Sequence, residues 1–445
     1  MRLLNLLGIL PLVAGHTLMT TLYVDGENQG DGVCIRQNRD AQTATWPIEP
    51  LANDAMACGY SGEIASSRLC PANQDSTLTF EFRSYPDGSE PGVIAEGHKG
   101  PCAVYMKRVE DATADNNAAG GGWFKIYEMT YDDSTSQWCT DKLIANSGFL
   151  SVKVPQGIQG GPYLVRTELL ALHAAQDTPR DPQFYVGCAQ VFVDGESGGD
   201  VPTGVVIDAS TYDLSIPGLV FNLYETPLAL PYPSFGPAVY EPTARGLRSE
   251  GKEVVQGTGF EPAGCILVRD DWCGFEVDSY DTQDGCWASS KQCWDQGTSC
   301  WEPAPSTGNR VCQVWSDKCT NIDDQCNAGN WNGPPDAGKV LTPALKTISG
   351  SMAVFSGGVS SPSGSDSDET KSSSVVSSSA PTSTSTATAT ATATVSSESS
   401  SATGTQAETE VESTDTSASQ LTHGHGKGRC KARSSKKRRS HRARK

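Results

Sequence analysis

The chain has 445 residues, 15 cysteines and a net charge of −18. An acidic body of this kind is unlike a general nucleic-acid binder, and past the first fifteen residues no apolar run approaches the length needed to cross a bilayer. So many cysteines point to an oxidising compartment and to disulfides.

Residues 1–15 begin with Arg2, continue through Leu3, Leu4, Leu6, Leu7, Ile9, Leu10, Leu12 and Val13, and close on Ala14-Gly15. That layout predicts a secretory signal peptide and an extracellular protein. Cleavage after Gly15 makes His16 the first residue. A free N-terminal histidine chelates a metal through its α-amino nitrogen and ring Nδ1 together.

Residues 16–241 read as all-β. Thr77–Arg83 alternates with Leu78, Phe80 and Phe82 on one face, the period of a half-buried strand. Further strands are expected at 103–109, 123–127, 149–154, 163–172 and 183–193, separated by Gly, Pro, Asn and Asp clusters. With no helical period, these predict an antiparallel β-sandwich of the immunoglobulin or fibronectin-III kind.

A linker is expected over 242–263. Residues 264–332 then hold eight cysteines and six tryptophans with few aliphatic residues, so a module held by disulfides is expected. Cys286, Cys293 and Cys300 are spaced C-x6-C with a Trp after each, and the spacing recurs at Cys312, Cys319 and Cys326. Zinc is the rival, but this stretch has no CxxC pair and no histidine. Its tryptophans either stack on sugars or form the module's core. Residues 333–426 are Ser/Thr-rich and predict an O-glycosylated linker. Residues 427–445 carry eleven Lys or Arg and no acid, a basic and disordered tail suited to anionic wall polymers, with Cys430 unpaired.

Outside the tail there are three histidines: His16, His98 and His173. His98 lies in a glycine-flanked loop before a strand, and His173 ends the apolar run 164–172. Gln183 and Tyr185, two apart on one strand, share a face, while Phe184, Val186 and Cys188 point the other way into the core. The stretches Gly97-His-Lys-Gly-Pro101, Gly121-Gly-Trp-Phe-Lys-Ile126, 161–173 and 183–190 resemble the fungal copper-dependent lytic polysaccharide monooxygenases of auxiliary activity family 9, once glycoside hydrolase family 61. The resemblance covers residues 16 to about 240.

The resemblance implies that His16 and His98 hold one copper through three nitrogens, with Tyr185 at the axial position. It implies that His173 and Gln183 hydrogen-bond the oxygen species, and that Cys58 and Cys188 form the family's disulfide. Arg166 and Glu168 would belong to the support beneath. The implied reaction is oxidative cleavage of β-1,4-glucan at C1 or C4, with O2 or H2O2 and an external electron donor, either a small reductant or cellobiose dehydrogenase. The implied partner is an insoluble polysaccharide, cellulose first and hemicellulose second, and a monomer is expected. Hydrolysis would need a pair of carboxyls across the scissile bond, and none is tied to the matched motifs. A non-catalytic copper-binding or wall protein on the same scaffold is the alternative, and it would be marked by loss of His173, Gln183 or Tyr185. Two departures stand out: the segment 85–97, and the extra cysteines Cys34, Cys70, Cys102 and Cys139. These four allow three pairings, of which Cys34–Cys70 with Cys102–Cys139 is preferred.

Overall fold

The structure, a computed structural model, describes residues 16–348 apart from 245, 249, 303–305 and 343–346. The expected leader, nearly all of the Ser/Thr-rich stretch and the basic tail lie outside the described residues. The described residues fall in the compact unit Met1–Ser363, which the description below concerns.

In chain order the elements are β1 (Leu18–Val24), β2 (Glu27–Asp31), β3 (Ile35–Arg36), β4 (Cys70–Asn73), β5 (Thr77–Arg83), β6 (Cys102–Arg108), β7 (Gly120–Met129), β8 (Tyr131–Asp132), β9 (Gln137–Trp138), α1 (Cys139–Ala145), β10 (Phe149–Lys153), β11 (Gly161–Ala174), β12 (Asp181–Glu196) and β13 (Val205–Ile207). They are followed by β14 (Glu253–Val254), β15 (Cys265–Arg269), β16 (Trp272–Phe275), α2 (Gln283–Trp301) and α3 (Arg310–Asn327).

Two sheets form the sandwich. One has the order β10-β5-β1-β2, and the other β13-β7-β6-β11-β12-β14, with β3 and β4 also paired to β12. The pairing is antiparallel except that β4 runs parallel to β12. Leu78, Phe80 and Phe82 of β5 are buried with Leu22, Leu150 and Val152, in one cluster with Val104, Met106, Val165, Leu169 and Val191 of the larger sheet. Their period of two brings one face of each sheet into a shared core.

The larger sheet is buried on its outer face as well. Tyr105, Trp123, Leu170, Phe184 and Cys188 pack there against Trp138 of β9 and against Ile48, Met56, Tyr212, Leu219 and Tyr232 from the connecting segments. Both faces of β12 are therefore buried, and its side chains alternate as the sequence suggests. Tyr185 belongs to the core between the sheets, Phe184 and Cys188 face the loop layer, and Val186 is only half-buried. The helix α1, at seven residues, is too short for a helical period to be visible in sequence.

Disulfides join Cys34 to Cys70, Cys58 to Cys188 and Cys102 to Cys139. In the cysteine-rich stretch, Cys265 bonds Cys273 across the hairpin β15–β16. Cys286, Cys293 and Cys300 of α2 bond Cys326, Cys319 and Cys312 of α3, in reversed order. Seven residues are nearly two helical turns, so each C-x6-C run lines one helix face and the two faces are bolted antiparallel. Trp315 is fully buried there and meets Trp272 edge-on at 5.3 Å, with Leu267 and Ile322 beside them.

This stretch is fastened to the sandwich. Asp271 Oδ1 accepts hydrogen bonds from Ser66 Oγ, Ser67 N and Ser67 Oγ at 2.8–2.9 Å. Ser306 Oγ donates to the Asn38 carbonyl, and from the expected linker Glu261 pairs with Arg68 at 3.0 Å. Within the expected linker, β14 pairs with the end of β12, and Leu69 N donates to the Gly259 carbonyl.

Candidate metal centre

Four segments converge at one end of the sandwich. His16 lies two residues before β1, where the chain enters the smaller sheet. His98 sits in the loop before β6, held by a turn in which His98 N donates to the Ala95 carbonyl. That loop must lie flat on β11: a Cβ on Gly100 would fall 1.8 Å from the Leu170 carbonyl oxygen, so only glycine is accommodated. From the other side α1 grips it. Gly100 N donates to Thr140 Oγ1 at 3.0 Å, and Lys99 pairs with Asp141 at 2.7 Å. Leu172 N donates to the Lys99 carbonyl, which brings His173 at the end of β11 beside His98.

The rings of His16 and His98 are 6.0 Å apart between centroids and nearly perpendicular, at 86°. Tyr185 lies 6.0 Å from the first and 6.1 Å from the second, and His173 is 4.1 Å from His98. The Tyr185 hydroxyl donates to Gln183 Oε1 at 2.9 Å, and Gln183 Nε2 donates to Asp181 at 2.6 Å. The five residues singled out in the sequence are thus brought together, with Asp181 added through Gln183.

Burial sets the electrostatics. It pushes His98 down to about 4, helped by the neighbouring His173 and His16 rings. Burial also lowers His16, with His173 adding to the effect and Asp181 and Glu49 opposing it. His173 is lowered by burial against the pull of Asp181 and Asp177. Burial raises the Tyr185 phenol far above its ordinary range. Burial thus disfavours the charged form of all three imidazoles, and the neutral form is the one that binds a metal.

His98 Nε2 and His173 Nδ1 are buried with no hydrogen-bond partner, which is costly unless something else occupies them. Among the described residues no three His, Cys, Asp or Glu side chains are grouped to hold a metal ion. Two imidazoles completed by the amine of His16 need no third side chain, and an all-nitrogen donor set suits copper. The residues present fit that group.

On the face of β11 towards the loop layer, Arg166 and Glu168 are buried and paired at 2.6 Å. Arg166 Nε also donates to the Met56 carbonyl, and Tyr212 Oη donates to Glu168 at 2.6 Å. Tyr212 stands 44 residues beyond Glu168 and could not be assigned to it from sequence. Tyr224 was equally hidden, in a stretch without strand or helix pattern. It is 70% exposed, and its hydroxyl donates to the His173 carbonyl at 3.0 Å.

The family profile described as Auxiliary Activity family 9 (formerly GH61) matches residues 16–232, starting at the histidine of the cluster. A lytic polysaccharide monooxygenase C of Aspergillus tamarii is 58% identical over 350 residues, which are 78% of this chain and 94% of that protein. The chain belongs to Auxiliary Activity family 9. The family is one of lytic polysaccharide monooxygenases, and two further members extend the likeness. A lytic polysaccharide monooxygenase A of Emericella nidulans is 68% identical across 81% of this chain, which spans only 64% of that relative's length. A lytic polysaccharide monooxygenase H of Botryotinia fuckeliana is 42% identical across 79% of this chain and 83% of its own. Alignments this long must run past the family match and across residues 264–332. Among the described residues no helix is long and apolar enough to cross a membrane.

Proposed function

We propose that this chain is a secreted, copper-dependent lytic polysaccharide monooxygenase that cleaves β-1,4-glucan oxidatively. The observation that carries the proposal is the meeting of His16, His98 and Tyr185 within about 6 Å around an unpartnered, buried His98 Nε2. His16, through amine and ring, and His98 would hold one copper, with Tyr185 beside them. Copper supplies one-electron redox chemistry there, drawing on an external reductant and on O2 or H2O2 to oxidise C1 or C4 of the sugar.

The chain's own residues do the rest. Gln183 holds the Tyr185 hydroxyl by accepting its proton in a hydrogen bond, so the phenol is kept protonated and turned away from ligation. Asp181 in turn fixes the Gln183 amide. His173, with its Nδ1 buried and unpartnered, would give or take one hydrogen bond beside the reacting centre. The loop grip on Gly100 and Lys99 keeps His98 in place, a preorganisation that costs nothing at the moment of reaction. Exposed Tyr224, tied to the His173 carbonyl, offers a flat ring to a polymer surface beside the centre. Cellulose, then hemicellulose, is the proposed substrate; small reductants or cellobiose dehydrogenase are the proposed electron donors, and a monomer the working unit. The proposed domains are a leader over 1–15, the copper sandwich over 16–241 and the cysteine-rich module over 264–332, followed by a glycosylated stretch and a basic tail.

Mass spectrometry of products from swollen cellulose, with copper and ascorbate, tests this. Aldonic acids or 4-ketoaldoses are expected. Plain reducing oligosaccharides would mean a hydrolase, and no products, with copper still bound, a non-catalytic copper protein. Adding one residue ahead of His16 should abolish tight copper binding, because the chelating amine becomes an amide.

A further inference from the structure

Trp287, Trp294 and Trp301 stand seven residues apart along α2. At 1.5 Å rise per residue, successive rings are about 10.5 Å apart along the axis, and all three stay within about 40° around it. They are 40%, 39% and 39% exposed. Each directly follows a fully buried cysteine bonded to α3, so the rings form one row on the flank of α2 that borders α3. Trp294 Nε1 donates to Asp323 Oδ2 at 3.0 Å and Trp301 Nε1 to Ser316 Oγ at 3.3 Å, both on α3. These bonds hold two of the indoles by one edge, while part of each residue stays open to solvent. The stretch's structural aromatic need is met elsewhere, by Trp315 and Trp272.

The surroundings say what such a row would meet. The other exposed side chains of α2 are Gln283, Asp284, Ala288, Lys291, Asp295, Thr298 and Ser299, with no Leu, Ile, Val or Met among them. A protein interface would gather a continuous apolar centre, whereas isolated rings among hydroxyls, carboxylates and amines suit a pyranose. The axial C–H face of a sugar packs on an indole, and its equatorial hydroxyls reach the polar groups beside it. In an extended β-1,4-linked chain each sugar is turned over relative to the last, so like faces recur once per disaccharide. That repeat is commensurate with the spacing of the row.

We infer that Trp287, Trp294 and Trp301 form a polysaccharide-binding ladder that takes an extended β-1,4-linked chain, one ring per disaccharide. The site is separate from the metal centre and stands whether or not that centre is catalytic. Cellulose and chitin share this backbone geometry, and the test separates them.

The full-length protein, stripped of copper and without reductant, is mixed with microcrystalline cellulose or β-chitin, and the depletion from solution is measured. The triple variant Trp287→Ala, Trp294→Ala, Trp301→Ala should lose at least tenfold in partition onto one or both polymers. Trp294→Ala alone should lose severalfold. Copper affinity by calorimetry should be unchanged, which separates failure of the ladder from failure of the metal centre. Should the triple variant not fold, the unaltered protein decides. Saturating cellohexaose or chitohexaose should protect three tryptophans from oxidation by N-bromosuccinimide. Undiminished binding by a folded triple variant, or no protection by either saccharide, overturns the ladder.

Discussion

Replacing Cys102 and Cys139 together by alanine tests how the second histidine is held. The disulfide closes a loop with a sequence separation of 37. The chain-entropy relation assigns such a loop about 4 kcal/mol of stability at 25 °C. Both sulfurs are buried, so their loss leaves a small void that adds to the cost. For a cooperative unit of this size, about 4 kcal/mol corresponds to a fall in Tm of roughly 8–16 °C. The effect should reach the site, because Cys102 opens β6 four residues after His98, and Cys139 opens the helix whose Thr140 and Asp141 grip the His98 loop. Those hydrogen bonds remain in the variant, so copper affinity should weaken severalfold and not vanish. Differential scanning calorimetry of the copper-free protein and copper titration by isothermal calorimetry give the two numbers. A Tm loss under about 3 °C with unchanged affinity would refute the view that this disulfide clamps the loop.

Gln183→Ala removes the acceptor of the Tyr185 hydroxyl without touching a proposed copper ligand. Copper affinity should hold while oxidative turnover falls about ten- to hundredfold, as product quantification would show. Asp270 supplies a pH dependence away from the metal centre. Burial and the neighbouring Asp271 push its carboxyl up to about 7, against the opposing charges of Arg269 and Arg39. An acid raised on folding stabilises the fold fully below its unfolded value near 4, and that contribution is lost as pH rises toward about 7. Tm of the copper-free protein should therefore fall between pH 4 and 7 by more in the unaltered chain than in Asp270→Asn, and parallel curves would contradict the assignment.

Much of the centre could be read from the chain because its members come from local patterns. Gln183 and Tyr185 share a face by the two-residue period of β12, and His98 is marked by its glycine-flanked loop. Other parts rest on long-range pairing that no local pattern carries. Tyr212 reaches Glu168 across 44 residues, and α1 grips a loop some 40 residues before it. The helices α2 and α3 illustrate a different limit. Their seven-residue cysteine repeat is close to two helical turns, yet the buried face of α2 is Cys286, Ser289, Ser290, Cys293, Gly297 and Cys300. A helix whose inner face is cystine and small residues has no leucine stripe, so the usual amphipathic signal is missing.

The same geometry changes what the cysteine-rich stretch can be. A module on a free tether would sample many directions, and its binding would add affinity through effective concentration alone. Here the segment between sandwich and module is itself laid down, with β14 paired to β12, Gln256 donating to the Leu69 carbonyl and Leu69 donating to the Gly259 carbonyl. The module then contacts the segment closed by Cys34–Cys70, through Asn38, Ser66 and Ser67. Asn38 also borders the small cavity lined by Thr17, Trp46 and Tyr185, so the fastening reaches the edge of the metal centre. A ladder carried on such a fixed support would orient the catalytic end relative to a polymer chain as well as retain it there. Fixed orientation of this kind lowers the entropic cost of each productive encounter, because the rotations a tether would have to lose are already lost on folding.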